Sequence, residues 1–360
     1  MDAKTWEQKE HSRVKHSLLK AYLGAWFQII GRKFDHAVYV DCFCGPGSFG
    51  ENDPGSPLIA IESGQSVALP PRKKFSFLFV DQDRKCVASL RNTLRTITLP
   101  DNFDVHVKCG SAVEIIGKEL VGLKRLGFSD KPLFAFIDPF GFKGVPFKLI
   151  ENLLAGQSRE IFVNFMVEHI NRFIKHPNDA ISSHVIEAIG TSECLKLIQD
   201  SSNRLRDLRM LYQSQLQTCA KYVRFFEMRT TVNRPLYCLF FATNNSLGHM
   251  KMKEAMWRMD PLQGTSFCDS TDPHQLTMIE DESTHLLASL LEARYRGCTS
   301  VNVDGIKNFV REETIFIDKH IRAALNQLEE VGKLHVHPVK LNGKNRRAQT
   351  YSEGVLVDFL

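Results

Sequence analysis

The feature that most constrains the fold of this 360-residue chain is a repeated alternation of short apolar runs with amphipathic segments, between residues 37 and 166. The connecting segments repeat their apolar residues at helical spacing. Strands that alternate with helices form a largely parallel sheet with helices on its faces. We therefore predict an α/β fold with a Rossmann-like, doubly wound sheet. The predicted strands are 37–43, 75–80, 103–108, 132–137 and 160–166.

Segments on either side of this region extend the predicted domain. Residues 15–30 have the apolar spacing of an amphipathic helix, and 169–220 are mainly helical in pattern, which suggests an insertion. Two strand-like runs, 222–230 and 236–243, predict a hairpin at the sheet edge, and 248–259 follow as a helix. We assign residues 1–260 to this domain.

The C-terminal part has a different pattern. Residues 261–281 are polar and contain Pro and Gly, which favours a linker. Three helical segments follow, at 283–295, 303–312 and 317–331, and then two runs, 334–339 and 348–351, that predict a two-stranded wing. Three helices and a hairpin predict a winged-helix domain over residues 282–360.

Composition excludes several classes of protein. The hydrophobic share of 43 % and charged share of 24 % are ordinary for a globular protein, and the net charge of +5 is mildly basic. The nine cysteines include no CxxC pair, so we expect free thiols in a reducing compartment and no zinc site. We expect neither a signal peptide nor a membrane span, and therefore a cytoplasmic location.

The first predicted strand ends in an acidic, glycine-containing loop that runs from Asp41 through Phe43 to Gly45-Pro46-Gly47. Glycines at such a turn let the backbone approach a ligand closely, and ligands bind beyond the carboxyl ends of these strands. The loop lacks the third glycine of a dinucleotide fingerprint, and the next helix starts well downstream. A pyrophosphate needs a helix N-terminus close behind the glycines. S-adenosylmethionine has no phosphate, and its methionine end needs an acid and backbone groups, which this loop can supply. The loop therefore favours S-adenosylmethionine, and a structural turn stabilised by an aspartate is the alternative.

Two later strand ends supply further cofactor candidates. Asp81 is placed to accept hydrogen bonds from ribose hydroxyls, with Asp83 as a competitor, and helix capping would explain either acid. Ser111, in the segment 109–112 after the third strand, is a candidate to cover the adenine, although a capped helix start has the same residues.

The fourth predicted strand ends in Asp138-Pro139-Phe140-Gly141. A carboxylate and a backbone carbonyl there can accept hydrogen bonds from an amino group, and Phe140 can stack on a flat base that is flipped out of a duplex. Asp138, Pro139 and Phe140 are our candidate catalytic residues, and a plain turn is the alternative. Asn164 ends the next strand, where it could line the same pocket or serve as a core or capping residue.

The chain resembles the three-Cys-motif partner (TcmP) family. The segments that carry the resemblance are Lys15–Leu19 with Tyr22, Leu23 and Trp26, Tyr39–Gly47, Gly55–Ala60, Ile137–Gly141 and Leu239–Asn244. The family often has Ala where this chain has Cys44. The resemblance implies a methyltransferase-like domain, a C-terminal winged helix and pairing with a separate three-cysteine protein of the radical-chemistry type. It implies no established substrate.

Basic residues suggest a nucleic-acid partner. No acidic residue occurs between Val331 and Ser352, and Lys344, Arg346 and Arg347 fall at the predicted wing tip, where they could contact phosphates. A solvated hairpin tip or a protein-docking module is the alternative. Residues 201–234 are also basic. This stretch could form a second contact face, or it could be only a charged helix surface.

These features predict an S-adenosylmethionine-dependent methyltransferase that acts on an exocyclic amine of a DNA or RNA base. The alternative from another class is a non-catalytic nucleic-acid-binding partner of the three-cysteine protein. A winged-helix regulator is a third possibility, which the large N-terminal domain disfavours. We expect the N-terminal helix around Lys15 and His16 to close over the pocket.

Overall fold

A computed structural model describes most of the chain. The described residues are 10–50, 53–68, 70, 72–125, 131–156, 158–174, 179–230, 232–261, 263–268 and 280–360. The chain divides into two compact units, Met1–Met252 with Phe267–Ser270, and Lys253–Ser266 with Thr271–Leu360. The predicted domain boundaries at 260 and 282 stay a prediction. No helix in the described ranges is both long and apolar enough to cross a membrane.

The first unit alternates strands and helices in the predicted order. Its strands are β1 (His36–Asp41), β2 (Lys74–Asp81), β3 (Phe103–Cys109), β4 (Leu133–Ile137), β5 (Arg159–Phe165), β6 (Tyr222–Arg229), β7 (Pro235–Thr243) and β8 (Ser266–Cys268). Its helices are α1 (Glu10–Lys33), α2 (Ser56–Gln65), α3 (Arg84–Arg95), α4 (Ala112–Arg125), α5 (Phe147–Leu154), α6 (Val167–Phe173), α7 (Asp179–Ile189), α8 (Glu193–Asp200), α9 (Arg204–Gln217) and α10 (Ser246–Met259), the last of which continues into the second unit.

Strands β1 to β8 form one large sheet in the order β3-β2-β1-β4-β5-β7-β6-β8. Strands β1 to β5 are parallel to one another, and β7 pairs antiparallel with both β5 and β6. The strand order reverses between β1 and β4, which is where doubly wound sheets bind ligands. The predicted α/β, Rossmann-like fold is confirmed.

Two details of the sheet correct the predictions. The hairpin β6–β7 forms, but β7 lies inside the sheet beside β5 and not at its edge. The edge strand beside β6 is β8, which lies within the stretch predicted as a linker. Three residues are too short a run for a periodicity signal, and an edge strand needs only one neighbour for its hydrogen bonds.

Side-chain alternation along the strands separates two kinds of core. Aromatic residues fill the face that α1 covers, where Tyr22 lies 5.4 Å from Phe134 and Phe27 lies 5.0 Å from Phe75 between ring centroids. Aliphatic residues such as Val40 and Ile137 fill the opposite face. Since alternate residues share a face, Tyr39 and Asp41 point to the same side as α1.

The second unit contains three further helices and a small antiparallel sheet of order β10-β11-β9 among its described residues. Their bounds are α11 (Glu280–Tyr295), β9 (Val301–Asn302), α12 (Val303–Glu313), α13 (Asp318–Glu330), β10 (Leu334–Val336) and β11 (Leu356–Phe359). The three predicted helices are present. The winged-helix assignment stays a prediction.

The prediction that residues 348–351 form the second strand of a wing is wrong. These residues form no strand, and β10 pairs instead with β11, with Leu334 opposite Phe359. The physical reason is burial: Val357 and Phe359 enter the core of this unit and alternate with less buried neighbours, whereas Ala348 and Gln349 are exposed.

Candidate active site

The carboxyl ends of four parallel strands bring the predicted acids to one edge of the sheet. Asp41, the last residue of β1, pairs in register with Phe136 of β4, and the next amide, Cys42 N–H, donates to the Phe136 carbonyl at 2.9 Å. Ile137 pairs with Val163 of β5, so Asp138 and Asn164 follow as neighbours. Asp81 ends β2 on the other side of β1.

The glycine loop adopts a conformation that needs glycine. Gly45 and Gly47 have φ angles of +62° and +89°, a region that L-residues with a side chain rarely adopt. A Cβ on Gly47 would lie 2.7 Å from Leu90 Cδ1, whereas one on Gly45 would meet nothing within 4 Å. The loop is therefore packed at Gly47 and open at Gly45.

Asp81 braces this loop. Its Oδ2 accepts a hydrogen bond from Gly45 N–H at 2.9 Å, and its Oδ1 accepts one from Asp83 N–H at 2.8 Å. Asp83 caps α3 by accepting from Lys85 N–H at 2.7 Å. The capping interpretation therefore describes Asp83. The bracing role of Asp81 was missed from the sequence, because it joins residues 36 positions apart.

Asp41 carries an unsatisfied oxygen. The side chain is fully buried, and Oδ1 accepts from Phe43 N–H at 3.3 Å. No described residue lies in full hydrogen-bonding geometry to Oδ2, although the Ser56 and Tyr39 hydroxyls interact electrostatically with the carboxylate. Burial raises the pKa of Asp41 to about 7, the nearby Ser56 hydroxyl and Phe43 amide oppose that rise, and the charges of Asp138 and Asp81 add to it. A buried, unpaired carboxylate oxygen is costly, so this atom is a candidate ligand contact.

Asp138 is held from two sides. The ammonium of Lys15, on α1, is hydrogen-bonded to Oδ2, and Asn164 Nδ2–H donates to Oδ1 at 2.8 Å. Lys15 is only 7 % exposed, and burying an ammonium is unfavourable unless it is paired. The Lys15 ammonium is also 5.7 Å from the centroid of the Tyr237 ring. The sequence placed Asn164 as a possible lining residue of the same pocket and Lys15 on a helix near it, but it did not predict their hydrogen bonds to Asp138.

Helix α1 also brings His16 to this region. Its ring centroid lies 6.1 Å from that of Phe49, next to the glycine loop. Burial and the charge of Lys15 lower the pKa of His16 to about 4, against the opposite effect of Asp138. This imidazole is therefore neutral at physiological pH.

A cavity of about 580 Å³ opens at the same edge of the sheet, within the size range of small-molecule sites. Phe140 is 80 % exposed beside it. Ser111, in front of α4, does not line this cavity. The lining residues are Phe43, Asp81, Gln82, Asp83, Pro139, Phe140, Gly141, Phe142, Lys143, His169, Phe173 and Ile181.

The predicted wing residues have different surroundings. Lys344 and Arg347 are exposed. The Arg346 side chain is 8 % exposed, and its guanidinium donates to both carboxylate oxygens of Glu329, at 2.9 and 2.8 Å, and to the Thr350 carbonyl at 2.9 Å. Arg346 is thereby committed to a structural role, which corrects its placement with the other two in a phosphate-contacting tip.

Part of the basic stretch 201–234 is paired with acids of the first unit. Arg209 and Arg229 both pair with the buried Glu227, and Arg234 pairs with Glu168 at 2.8 Å. These pairs involve three of the seven basic residues of the stretch, and the two interpretations, a second contact face and a charged helix surface, both stay predictions.

Comparisons with known proteins leave the family open. No protein-family model matches the chain, and no curated protein matches it, so the resemblance to the TcmP family stays a prediction. Among solved structures, a protein from Legionella pneumophila matches with 14 % identity and a TM-score of 0.38, over 64 % of this chain and 85 % of that one. An O-methyltransferase from Bacillus cereus matches with 12 % identity and a TM-score of 0.35, over 66 % and 83 %. An O-methyltransferase of tomaymycin synthesis from Streptomyces achromogenes matches with 13 % identity and a TM-score of 0.33, over 67 % and 93 %.

Proposed function

We propose that this protein is an S-adenosylmethionine-dependent methyltransferase that acts on an exocyclic amine of a nucleic-acid base. The observation that carries the proposal is the meeting, at the sheet reversal, of an unsatisfied buried acid, Asp41, with the Asp138-Pro139-Phe140 loop of the adjacent strand. One strand end supplies a cofactor contact and the next supplies a contact for the methyl acceptor.

The residues present fit the charge of this cofactor. S-adenosylmethionine carries a positive sulfonium and a positive ammonium, and Asp41, Asp81 and Asp138 lie close enough for the charges of the last two to raise the pKa of the first. Asp41 Oδ2 would bind the ammonium, and a free lone pair on Asp81 would accept from a ribose hydroxyl. A dinucleotide pyrophosphate would instead meet these negative charges, and α2 begins only at Ser56.

The second half of the site suits a flat, neutral amine. When bound, S-adenosylmethionine would supply an electrophilic methyl group. Asp138, fixed by Lys15 and Asn164, would accept an N–H of the amine through a remaining lone pair, which orients the nitrogen lone pair. The exposed Phe140 ring and Pro139 would stack on the base. A base in a duplex would have to be flipped out to reach them.

The nucleic-acid substrate and the partner remain part of the proposal. The second unit would hold the substrate as a winged helix, with Lys344 and Arg347 on the phosphates, because both are exposed on the β10–β11 connection. A three-cysteine protein would be the candidate protein partner.

The test is transfer of label from radioactive S-adenosylmethionine to total cellular DNA or RNA. We expect wild-type protein to label one of the two pools, and Asp138→Ala to reduce labelling at least tenfold with unchanged cofactor binding. Cofactor binding without transfer to either pool would favour the non-catalytic partner. Absence of cofactor binding would reject the enzyme.

A further inference from the structure

The orientation of the Asn164 side-chain amide follows from the hydrogen bond that it makes with Asp138. A carboxylate can only accept hydrogen bonds, so the contact with Asp138 Oδ1 at 2.8 Å must be made by the amide nitrogen of Asn164. The amide oxygen is then turned away from Asp138. This assignment follows from the donor and acceptor types and requires no choice between amide rotamers.

The amide oxygen is buried and unsatisfied. Asn164 is 5 % exposed, and its Oδ1 has no hydrogen-bond partner among the described residues. A buried carbonyl-type oxygen without a hydrogen-bond donor destabilises the folded state. Most buried side-chain oxygens in proteins are satisfied. This exception belongs to a residue that bonds Asp138, whose neighbour Pro139 lines the cavity, which makes the oxygen a candidate acceptor for a ligand donor.

The position of this atom complements Asp138. Both oxygens of Asp138 already accept one hydrogen bond, from Lys15 and from Asn164, and Pro139, the next residue, lines the cavity. An exocyclic amine has two N–H groups. One can go to a remaining lone pair of Asp138 and the other to Asn164 Oδ1, which leaves the nitrogen lone pair free for methyl transfer.

We propose that Asn164 is a specificity-determining residue of the methyl-transfer site, whose Oδ1 accepts a hydrogen bond from the amine that receives the methyl group. This inference rests on the proposed function. Because Oδ1 is covered in the present conformation, the loop 139–141 or the Lys15 side chain must move for the amine to reach it, as often happens when catalytic hydrogen bonds form on substrate binding.

The test uses the oligonucleotide that wild-type protein methylates, together with the same oligonucleotide in which hydrogen replaces the amino group of the target base. Wild-type protein should bind the amino form at least tenfold more tightly than the deamino form. Asn164→Leu should lower this ratio several-fold without abolishing it, because Asp138 still accepts one N–H of the amine, and should lower kcat about 10- to 100-fold. The Kd for S-adenosylhomocysteine should stay within twofold of wild type.

Asn164→Ala gives the same readouts if Asn164→Leu does not fold. An unchanged ratio with either folded variant would overturn the inference, as would a loss of kcat matched by an equal loss of cofactor affinity, which indicates structural damage. Wild-type protein that methylates no nucleic acid would instead overturn the proposed function, and the inference with it, before any Asn164 variant is measured.

Discussion

Asp41 and Glu160 are both buried acids of the same sheet, yet their surroundings differ in one respect. Burial raises the pKa of each to about 7. Glu160, near the amino end of β5, accepts from Tyr22 O–H at 2.6 Å and from Thr243 O–H at 2.8 Å, one to each oxygen. Asp41, at the carboxyl end of β1, has one oxygen that no described residue meets in hydrogen-bonding geometry. Hydrogen bonds within the fold compensate the desolvation of both Glu160 oxygens, whereas one oxygen of Asp41 lacks this compensation among the described residues.

The hydrogen bonding of the two carboxylates distinguishes a structural acid from a ligand-binding acid. A fully bonded buried acid joins elements of the fold, here α1, β5 and β7. An incompletely bonded one at a sheet reversal is expected to gain its missing contact from a ligand.

The largest effect is expected for Glu160→Ala. The substitution leaves the Tyr22 and Thr243 hydroxyls unpaired and opens a cavity, so the free energy of unfolding should fall by about 2–4 kcal/mol in urea titrations. Glu160→Gln, which retains an acceptor, is the matched control and should lose less than half as much. Affinity for S-adenosylhomocysteine should be unchanged in the folded fraction. A stable Glu160→Ala protein with lost cofactor affinity would reverse the roles assigned to the two acids.

Lys15→Met should lower the methyl-transfer rate about 10- to 100-fold, because Asp138 loses the ammonium that fixes one of its oxygens. Lys20→Met is a control on the same helix, where the lysine pairs with Glu62 on the surface at 3.3 Å, and should be near wild type. Steady-state kinetics measure both variants. Equal activity of Lys15→Met and Lys20→Met would remove Lys15 from the site.

The affinity for S-adenosylmethionine should rise by about tenfold between pH 6 and pH 8. The pKa of Asp41 in the folded protein is about 7, so Asp41 is mostly neutral at pH 6 and mostly ionised at pH 8, and a cationic ligand favours the ionised form. Asp41→Asn should flatten this profile, whereas Glu160→Gln should leave it in place. Calorimetric titrations at several pH values give the comparison, and a rise retained in Asp41→Asn would assign the effect to another group.

The smallest effect concerns the exposed wing residues. Lys344→Ala combined with Arg347→Ala should weaken nucleic-acid binding by roughly three- to tenfold and reduce the slope of log K against log salt concentration by about 1.8. Arg346→Ala is the contrasting variant, since its pair with Glu329 is internal, and it should lower thermal stability instead. A salt slope that stays at its wild-type value in the double variant would place the phosphate contacts elsewhere.

The sequence was sufficient for the parts of the structure that depend on local patterns. Apolar runs such as 75–80 predicted the five parallel strands, and the acids at their ends followed at one edge because parallel strands end together. The position of β7 between β5 and β6 could not be predicted from the sequence, because strand order depends on pairing between distant segments. The β11 strand did have a signal, the alternation of Val355, Val357 and Phe359, all buried in the structure.

The site was predictable as a set of residue types but not as a set of contacts. Asp41 and Asp138 were expected from their loops, whereas Lys15 meets Asp138 across 123 residues and Asn164 meets it across 26. The contacts of Arg346 could not be predicted either, because its partner Glu329 belongs to a different element, the helix α13. Side-chain pairing over such distances depends on the folded arrangement and leaves no spacing pattern in the chain.

The most direct measurement is calorimetric titration of wild-type protein and Asp41→Asn with S-adenosylhomocysteine at pH 8, with NAD as the comparison ligand. We predict binding of one S-adenosylhomocysteine per chain, at least tenfold weaker binding by Asp41→Asn, and no binding of NAD. Absence of S-adenosylhomocysteine binding, or equal affinity of the two proteins, would contradict the assignment of the Asp41 edge as a cofactor site.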